Sequence, residues 1–225
     1  MYKKKIITSE DGSTSIALLD QNEQYHSIHG AIQESEHIFI KHGLQRISLE
    51  RNTIHILEIG MGTGLNVLLS FLFAQEQELQ IHYTALEKYP LEEEWTSAMN
   101  YAEKLHHSPN AKQIYEAIHS CKWNTEISLS DRFKFIKINK GAQDINYQDL
   151  SFDLVYHDAF NPDLEPSLWS EELFNKFYAA MKTPSILTTY STKGIVKRAL
   201  KSAGFIIEKK PGPIGKREIL NALKK

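Results

Sequence analysis

The chain contains a single cysteine, Cys121, among 225 residues. One thiol excludes an internal disulfide and any four-cysteine zinc site, and it fits a reducing compartment. None of the ten histidines shares a helix with another at metal-ligand spacing, so no metal is expected. No run approaches 18 apolar residues, which excludes a membrane-spanning helix. The opening MYKKKIITSEDGSTS is basic but has no apolar stretch of signal-peptide length. These absences predict a soluble cytoplasmic protein without a membrane partner. Internal repeats and low-complexity linkers are also lacking. With 41% hydrophobic and 24% charged residues, the composition is that of an ordinary folded chain, not a disordered one.

The net charge of −2 argues superficially against a nucleic-acid partner, but the charge is segregated. From Lys193 to Lys225 ten Lys/Arg face only Glu208 and Glu218, or +8, which leaves −10 on the other 192 residues. The basic segment is either a set of solvated helix and strand lysines or a surface for a polyanion.

Six short runs rich in β-branched and aromatic residues read as strands: IHILEI (54–59), IHYTALE (81–87), FKFIKI (133–138), FDLVYH (152–157), SILTTY (185–190) and GFIIEKK (204–210). Helical periodicity separates most of them, in LNVLLSFLFAQEQ, LEEEWTSAMNYAEKLHH, SEELFNKFYAAMK and KGIVKRALKSAG. Strands alternating with helices predict an α/β fold with a mostly parallel sheet. Residues 1–50 read as a small N-terminal extension and 51–225 as the main domain. The stretch from about 112 to 132 is expected to be a helical insertion, and PGPIGKREILNAL to close an antiparallel hairpin.

The segment LEIGMGTGLN places Gly60, Gly62 and Gly64 between a strand and a helix, where they permit a tight turn and close approach of a ligand to backbone amides. A dinucleotide fingerprint would need glycine at 65, which is Leu65. Glu58 precedes the loop, and acidic-x-G-x-G-x-G resembles the glycine loop of class I S-adenosylmethionine methyltransferases. A carboxylate there suits an amino-acid-bearing cofactor better than a pyrophosphate. Cofactor contacts are therefore expected from Glu58, Gly60, Gly62, Thr63, Gly64 and Asn66. Glu87, beside Lys88 at the end of the second strand, stands where such sites place an acid to accept hydrogen bonds from a ribose diol; its competing role is a surface pair with Lys88. Asp144 in NKGAQDI is a weaker candidate near the adenine.

The tip of the fourth strand reads HDAFNP. Burial of an unpaired carboxylate is costly, so Asp158 either lies at the exposed tip or has a partner. In class I enzymes that methylate amines this tip carries Asn/Asp-Pro-Pro-aromatic or a relative. An amine attacks a sulfonium methyl only as a free base, so a group must hold it and accept its proton. Asp158 is the candidate catalytic residue, with Phe160 offering an aromatic face to the cationic product. The alternative is that Asp158 caps the turn before Pro162.

In this order, YHSIHGAIQESEHIFI, HILEIGMGTGLN, LVYHDAFNPDLEPSLW, TTYSTKGIVKRALKSAGF and KKPGPIGKREIL resemble the tRNA 5-methylaminomethyl-2-thiouridine methyltransferase family, over about residues 25–222. The resemblance implies a class I methyltransferase domain with a Rossmann-like doubly wound sheet. It also implies S-adenosyl-L-methionine as cofactor, and methylation of the 5-aminomethyl nitrogen of a modified wobble uridine in tRNA. Bifunctional relatives carry a flavin-dependent oxidase for which 225 residues leave no room, so a separate oxidase or other enzyme would supply the aminomethyl substrate. Two departures stand out: Gly141 sits where relatives often have an acid, and HDAFNP replaces DGFAP with the aspartate retained. Tyr25, Ser27 and Glu34 are expected over the cofactor cleft or in plain N-terminal packing. Tyr190 and Lys193 are expected at the substrate or in a helix cap with Ser191 or Thr192. Trp169 is read as core or lid packing, and Lys209, Lys210, Lys216 and Arg217 as tRNA contacts. A small-molecule amine N-methyltransferase of the same fold is the competing reading.

Overall fold

The computed structural model describes residues 2–105 and 108–225. The predicted strands are all present, and the central ones read as apolar runs because helices cover both faces of their sheet. An eight-stranded sheet has the order β10-β11-β9-β8-β4-β5-β7-β6. Its strands are β4 (Thr53–Ile59), β5 (Gln80–Leu86), β6 (Ile127–Ser130), β7 (Phe133–Ile138), β8 (Phe152–His157), β9 (Met181–Thr189), β10 (Ile206–Pro211) and β11 (Glu218–Lys224). The five from β9 to β7 are parallel, while at the edges β6 pairs antiparallel with β7, β11 antiparallel with β9 and β10 antiparallel with β11. Before them, β1 (Lys4–Thr8), β2 (Thr14–Leu18) and β3 (Glu23–Gln24) form a separate antiparallel sheet.

Alternation along each strand splits the core in two. Ile54 and Ile56 of β4 and Leu154 and Tyr156 of β8 face one side, where they meet a helical run from the N-terminal region. That run comprises α1 (Ala31–Ser35), a π-helical stretch (Glu36–Leu44) and α2 (Gln45–Ser48). The same layer holds α3 (Leu65–Glu76), α4 (Glu93–Ser97), α5 (Tyr101–Lys104) and α6 (Ala111–Ser120). Leu57, Ile59 and Val155 face the opposite side, against α7 (Glu171–Ala180) and α8 (Gly194–Ser202). Residues 1–50 thus share a core with the main sheet, through Ile16, Ala31, Ile38, Phe39 and Leu44.

Two segments differ from the periodicity reading. LEEEWTSAMNYAEKLHH forms two short helices in place of one, because Asn100 turns away to bind the N-terminal hairpin: its Nδ2 donates to Gly12 O at 2.9 Å and its Oδ1 accepts from Thr14 N at 2.9 Å. His106 and His107, which end that predicted helix, lie outside the described residues. The predicted helical insertion keeps its helix only as α6; after the left-handed Asn124 (φ 60°) the chain extends into β6 and pairs with β7.

The sheet order reverses at β4. After β4 the chain moves outward through β5 and β7, then returns to place β8 on the other flank and β9 beyond it. Ligands of open α/β sheets bind in the crevice at the carboxyl ends of the two strands flanking such a reversal. Here those ends carry the glycine loop after Ile59 and Asp158 after His157, which lie side by side in register.

Candidate active site

The crevice opens into a cavity of about 1080 Å³. Its floor is the glycine loop and the Asp158–Phe160 turn. Gly60 and Gly62 both have positive φ, of 85° and 50°. A Cβ on Gly60 would lie 2.9 Å from the Asp158 carbonyl oxygen, and one on Gly62 3.1 Å from the Tyr25 ring, so only glycine lets the loop pass beneath these neighbours.

Thr63 fixes the loop from below. Its Oγ1 is 2.7 Å from His26 Nε2 and accepts from Tyr101 OH at 3.2 Å. Its carbonyl oxygen accepts from Tyr115 OH at 2.9 Å and meets His119 Nε2 at 3.1 Å. Burial pushes both imidazoles down to about 4, so each is neutral and can share a proton with Thr63. None of these four supports stood out in the sequence. They come from three separate segments, and only an unusual density of His and Tyr hints at them.

Glu87 closes β5 beside the loop. Its Oε2 accepts from Gly62 N at 3.0 Å and its Oε1 from Tyr89 N at 2.9 Å. Burial raises its proton affinity and the backbone donors oppose that rise. Each carboxylate oxygen keeps a further lone pair for a ligand. Leu86, Ala142, Leu164, Pro166 and Leu168 add apolar surface to the cavity wall.

Asp158 is half-buried at the floor. The Nδ2 of Asn66 donates to Asp158 Oδ2 and to Glu58 Oε1, each at 2.9 Å. One amide thus joins two carboxyls. Burial first, and then Glu34, raises Asp158 to about 7, against the hydrogen bond from Asn66 and the charge of Lys216. Burial also holds Glu58 well above the usual carboxylate range. The turn before Pro162 is capped by Asn161, whose Oδ1 accepts from Asp163 N at 2.9 Å, which leaves the Asp158 carboxyl directed elsewhere. Tyr25, Phe160 and Tyr190 line the same cavity, with Tyr25 edge-on to Phe160 at 5.1 Å and Tyr190 OH donating to the carbonyl of Ala159, next to Asp158, at 2.8 Å.

The cavity wall includes Gly60, Gly62, Thr63, Glu87, Lys88, Asp158, Tyr25, Phe160, Tyr190 and Lys216. Glu58 and Asn66 lie one layer below it, buried. Gly64 packs against His119 and caps α3, and Asp144 folds back on Gly141, whose own backbone lines the wall. Lys193 is the N-cap of α8 and pairs with exposed Asp163, while the Ser191 and Thr192 side chains do not cap that helix. Trp169 is buried, donating to Phe160 O at 2.8 Å and meeting His157 edge-on. Lys209 pairs with Glu218 at 2.9 Å, Lys210 with Glu208 at 3.0 Å, and Arg217 is exposed. Among the described residues no cluster of three or more His, Cys, Asp or Glu could hold a metal, and no helix is long and apolar enough to cross a membrane.

A family model described as S-adenosyl-L-methionine-dependent methyltransferase matches residues 92–225, more than half of the chain. The chain belongs to that family. Similar curated proteins include the tRNA 5-methylaminomethyl-2-thiouridine biosynthesis bifunctional proteins MnmC of Hydrogenovibrio crunogenus and Legionella pneumophila (strain Corby). The first is 29% identical over 231 residues, covering 97% of this chain and 34% of that protein. The second is 32% identical over 224 residues, covering 88% of this chain and 33% of that protein. The chain therefore spans about a third of the length of the curated relatives it matches. Among solved structures, MnmC2 from Aquifex aeolicus superposes with a TM-score of 0.78 at 22% identity, covering 99% of this chain and 70% of that one. Spermidine synthase from Thermotoga maritima gives 0.60 at 16% identity, covering 100% and 70%. Both share the fold, a class I methyltransferase sheet.

S-adenosyl-L-methionine is the cofactor of this methyltransferase family, and the residues present fit it. The glycine loop lines the cavity in a conformation that only glycine holds there, Glu87 offers a half-buried acceptor for a diol, and the apolar residues of the wall suit a base. The family match begins at residue 92, so the glycine loop and Glu87 enter through their geometry and not through that match.

Proposed function

We propose that this methyltransferase N-methylates the 5-aminomethyl group of a modified wobble uridine in tRNA, converting 5-aminomethyl-2-thiouridine to 5-methylaminomethyl-2-thiouridine. The observation that carries the reading is Asp158: a carboxyl raised to about 7 in a cavity that Tyr25, Phe160 and Tyr190 also line. The names of the MnmC relatives supply the substrate class.

When bound, the cofactor supplies an electrophilic methyl carbon on a positively charged sulfur. Gly60, Gly62 and Thr63 would seat its amino-acid end, Glu87 its ribose, and the wall from Ala142 to Leu168 its adenine. Asp158 accepts a hydrogen bond from the incoming amine, aligns its lone pair with the methyl carbon, and takes up the proton released as nitrogen gains its bond to carbon, the electron pair of the broken methyl–sulfur bond staying on sulfur. The three aromatic faces stabilise the cationic nitrogen and exclude water. Above about pH 7 Asp158 is ionised and can accept; below it the carboxyl is neutral and the amine is held as ammonium, so transfer slows as pH falls.

For tRNA, the exposed face of α8 (Lys193, Arg198, Lys201) and the hairpin residues Lys209, Lys210 and Arg217 provide phosphate contacts. Exposed ion pairs such as Lys209–Glu218 are screened by water and contribute little, so phosphate can replace the carboxylate with little loss. Incubating the protein with labelled cofactor and tRNA that carries the aminomethyl group tests the reading: label should enter tRNA. Label entering small amines but not tRNA overturns the substrate assignment.

A further inference from the structure

Lys216 and Glu34 come from opposite ends of the chain and meet inside the cavity. Lys216 lies in the turn between β10 and β11, where Gly215 packs so tightly on His29 that a Cβ would fall 2.0 Å from its ring. The Lys216 Nζ is 3.0 Å from Glu34 Oε1 and 5.4 Å from the centre of the Tyr190 ring. Both partners are fixed. Glu34 Oε2 accepts from Ser27 N at 2.8 Å, and the Tyr190 hydroxyl donates to the carbonyl of Ala159, next to Asp158. The Glu34 side chain is only 12% exposed and that of Lys216 31%. The Lys216 ammonium is thus directed into the cavity, between Glu34 and Tyr190.

We propose that Lys216 is a positioning residue for the reaction: held between Glu34 and Tyr190, its ammonium offsets the Glu34 charge and leaves Asp158 free to give up its proton and accept that of the amine. The role rests on reading the site as an amine methyltransferase and deepens that reading. Asp158 faces Glu34 from α1, Glu58 from β4 through the shared Asn66 amide of α3, Tyr83 from β5, Tyr190 beyond β9 and Lys216 from the hairpin turn. Every one of these except Lys216 and the neutral amide is an acid, whose ionisation opposes that of Asp158. Without Lys216, Glu34 is uncompensated and Asp158 keeps its proton to higher pH; without Glu34, the opposite follows.

The test needs no substrate. The stability difference between proteins with Asp158 and with Asp158→Asn changes with pH until Asp158 is fully ionised, so its levelling-off reports the proton affinity of this one group. In a Lys216→Met background that point should move up by roughly one pH unit, in Glu34→Gln it should move down, and in the double variant it should return near wild type. Lys216→Arg should leave it in place. The acid limb of single-turnover methyl transfer to aminomethyl tRNA should move in the same directions. An unmoved titration in both single variants overturns the proposal. So does a Lys216→Met protein whose only defect is weaker, less salt-sensitive tRNA binding, which would make Lys216 a phosphate contact. If the titration moves as expected but tRNA takes no methyl group, the charge-setting role stands and the substrate assignment falls.

Discussion

Replacing Asp158 with asparagine keeps the shape of the side chain, retains an oxygen to accept from Asn66, and removes a charge that the fold accommodates at a cost. Burial and Glu34 raise the carboxyl from 3.8 to about 7. The folded state therefore binds the proton more tightly than the unfolded chain does. Stability from this group is fully present below about pH 4, falls as pH rises towards 7, and is flat above. Three units correspond to about 4 kcal/mol, and cavity water around the half-buried carboxyl reduces this to about 2 to 4 kcal/mol. Asp158→Asn should thus be more stable than wild type at pH 8.5 by that amount, or roughly 4 to 16 °C in Tm for a chain of this size, and equal to it near pH 4. Its methyl-transfer rate should fall by roughly 10² to 10⁴, the range for general acid–base groups. Thermal and urea unfolding from pH 4 to 9, alongside single-turnover transfer, measure both. A variant that is less stable at pH 8.5, or whose stability advantage does not depend on pH, would show that the fold does not hold the Asp158 proton more tightly than the unfolded chain does.

Glu87→Ala removes a charged acceptor and should weaken cofactor binding by about 1 to 3 kcal/mol in calorimetry; unchanged affinity would place the ribose elsewhere. Thr63→Val removes the hydroxyl shared by His26 and Tyr101, leaving buried polar groups unpaired, and should destabilise the fold by about 1 to 3 kcal/mol while raising the cofactor dissociation constant. Unaltered cofactor affinity would show that the loop keeps its shape without these anchors. Changing Lys193, Arg198 and Lys201 together to alanine should flatten the salt dependence of tRNA binding by about two to three units of slope, with cofactor binding untouched; an unchanged slope would move the RNA to another face.

The doubly wound sheet was legible because its central strands are buried on both faces and therefore read as apolar runs between periodic helices. The glycine loop and Asp158 were legible for a related reason: tight turns and strand tips leave local marks, glycines in one case and a carboxylate after FDLVYH in the other. Contacts between distant segments leave none. Asn100 breaks a predicted helix to bind Gly12 and Thr14, 88 and 86 residues away. Glu58 reads from the sequence as a cofactor contact; that it is buried and shares the Asn66 amide with Asp158 is visible only in the fold. Lys216 reads as one of several basic residues until the hairpin carries it to Glu34.

Asp158 is proposed to serve methyl transfer to an amine on a tRNA uridine. The most direct measurement is mass analysis of nucleosides from tRNA bearing the aminomethyl group, after incubation with cofactor and either wild-type protein or Asp158→Asn. One added methyl on the side-chain nitrogen of that uridine is expected with wild type, and little or none with the variant in the same time. A methyl group on another nucleoside, or equal transfer by the variant, would contradict that role.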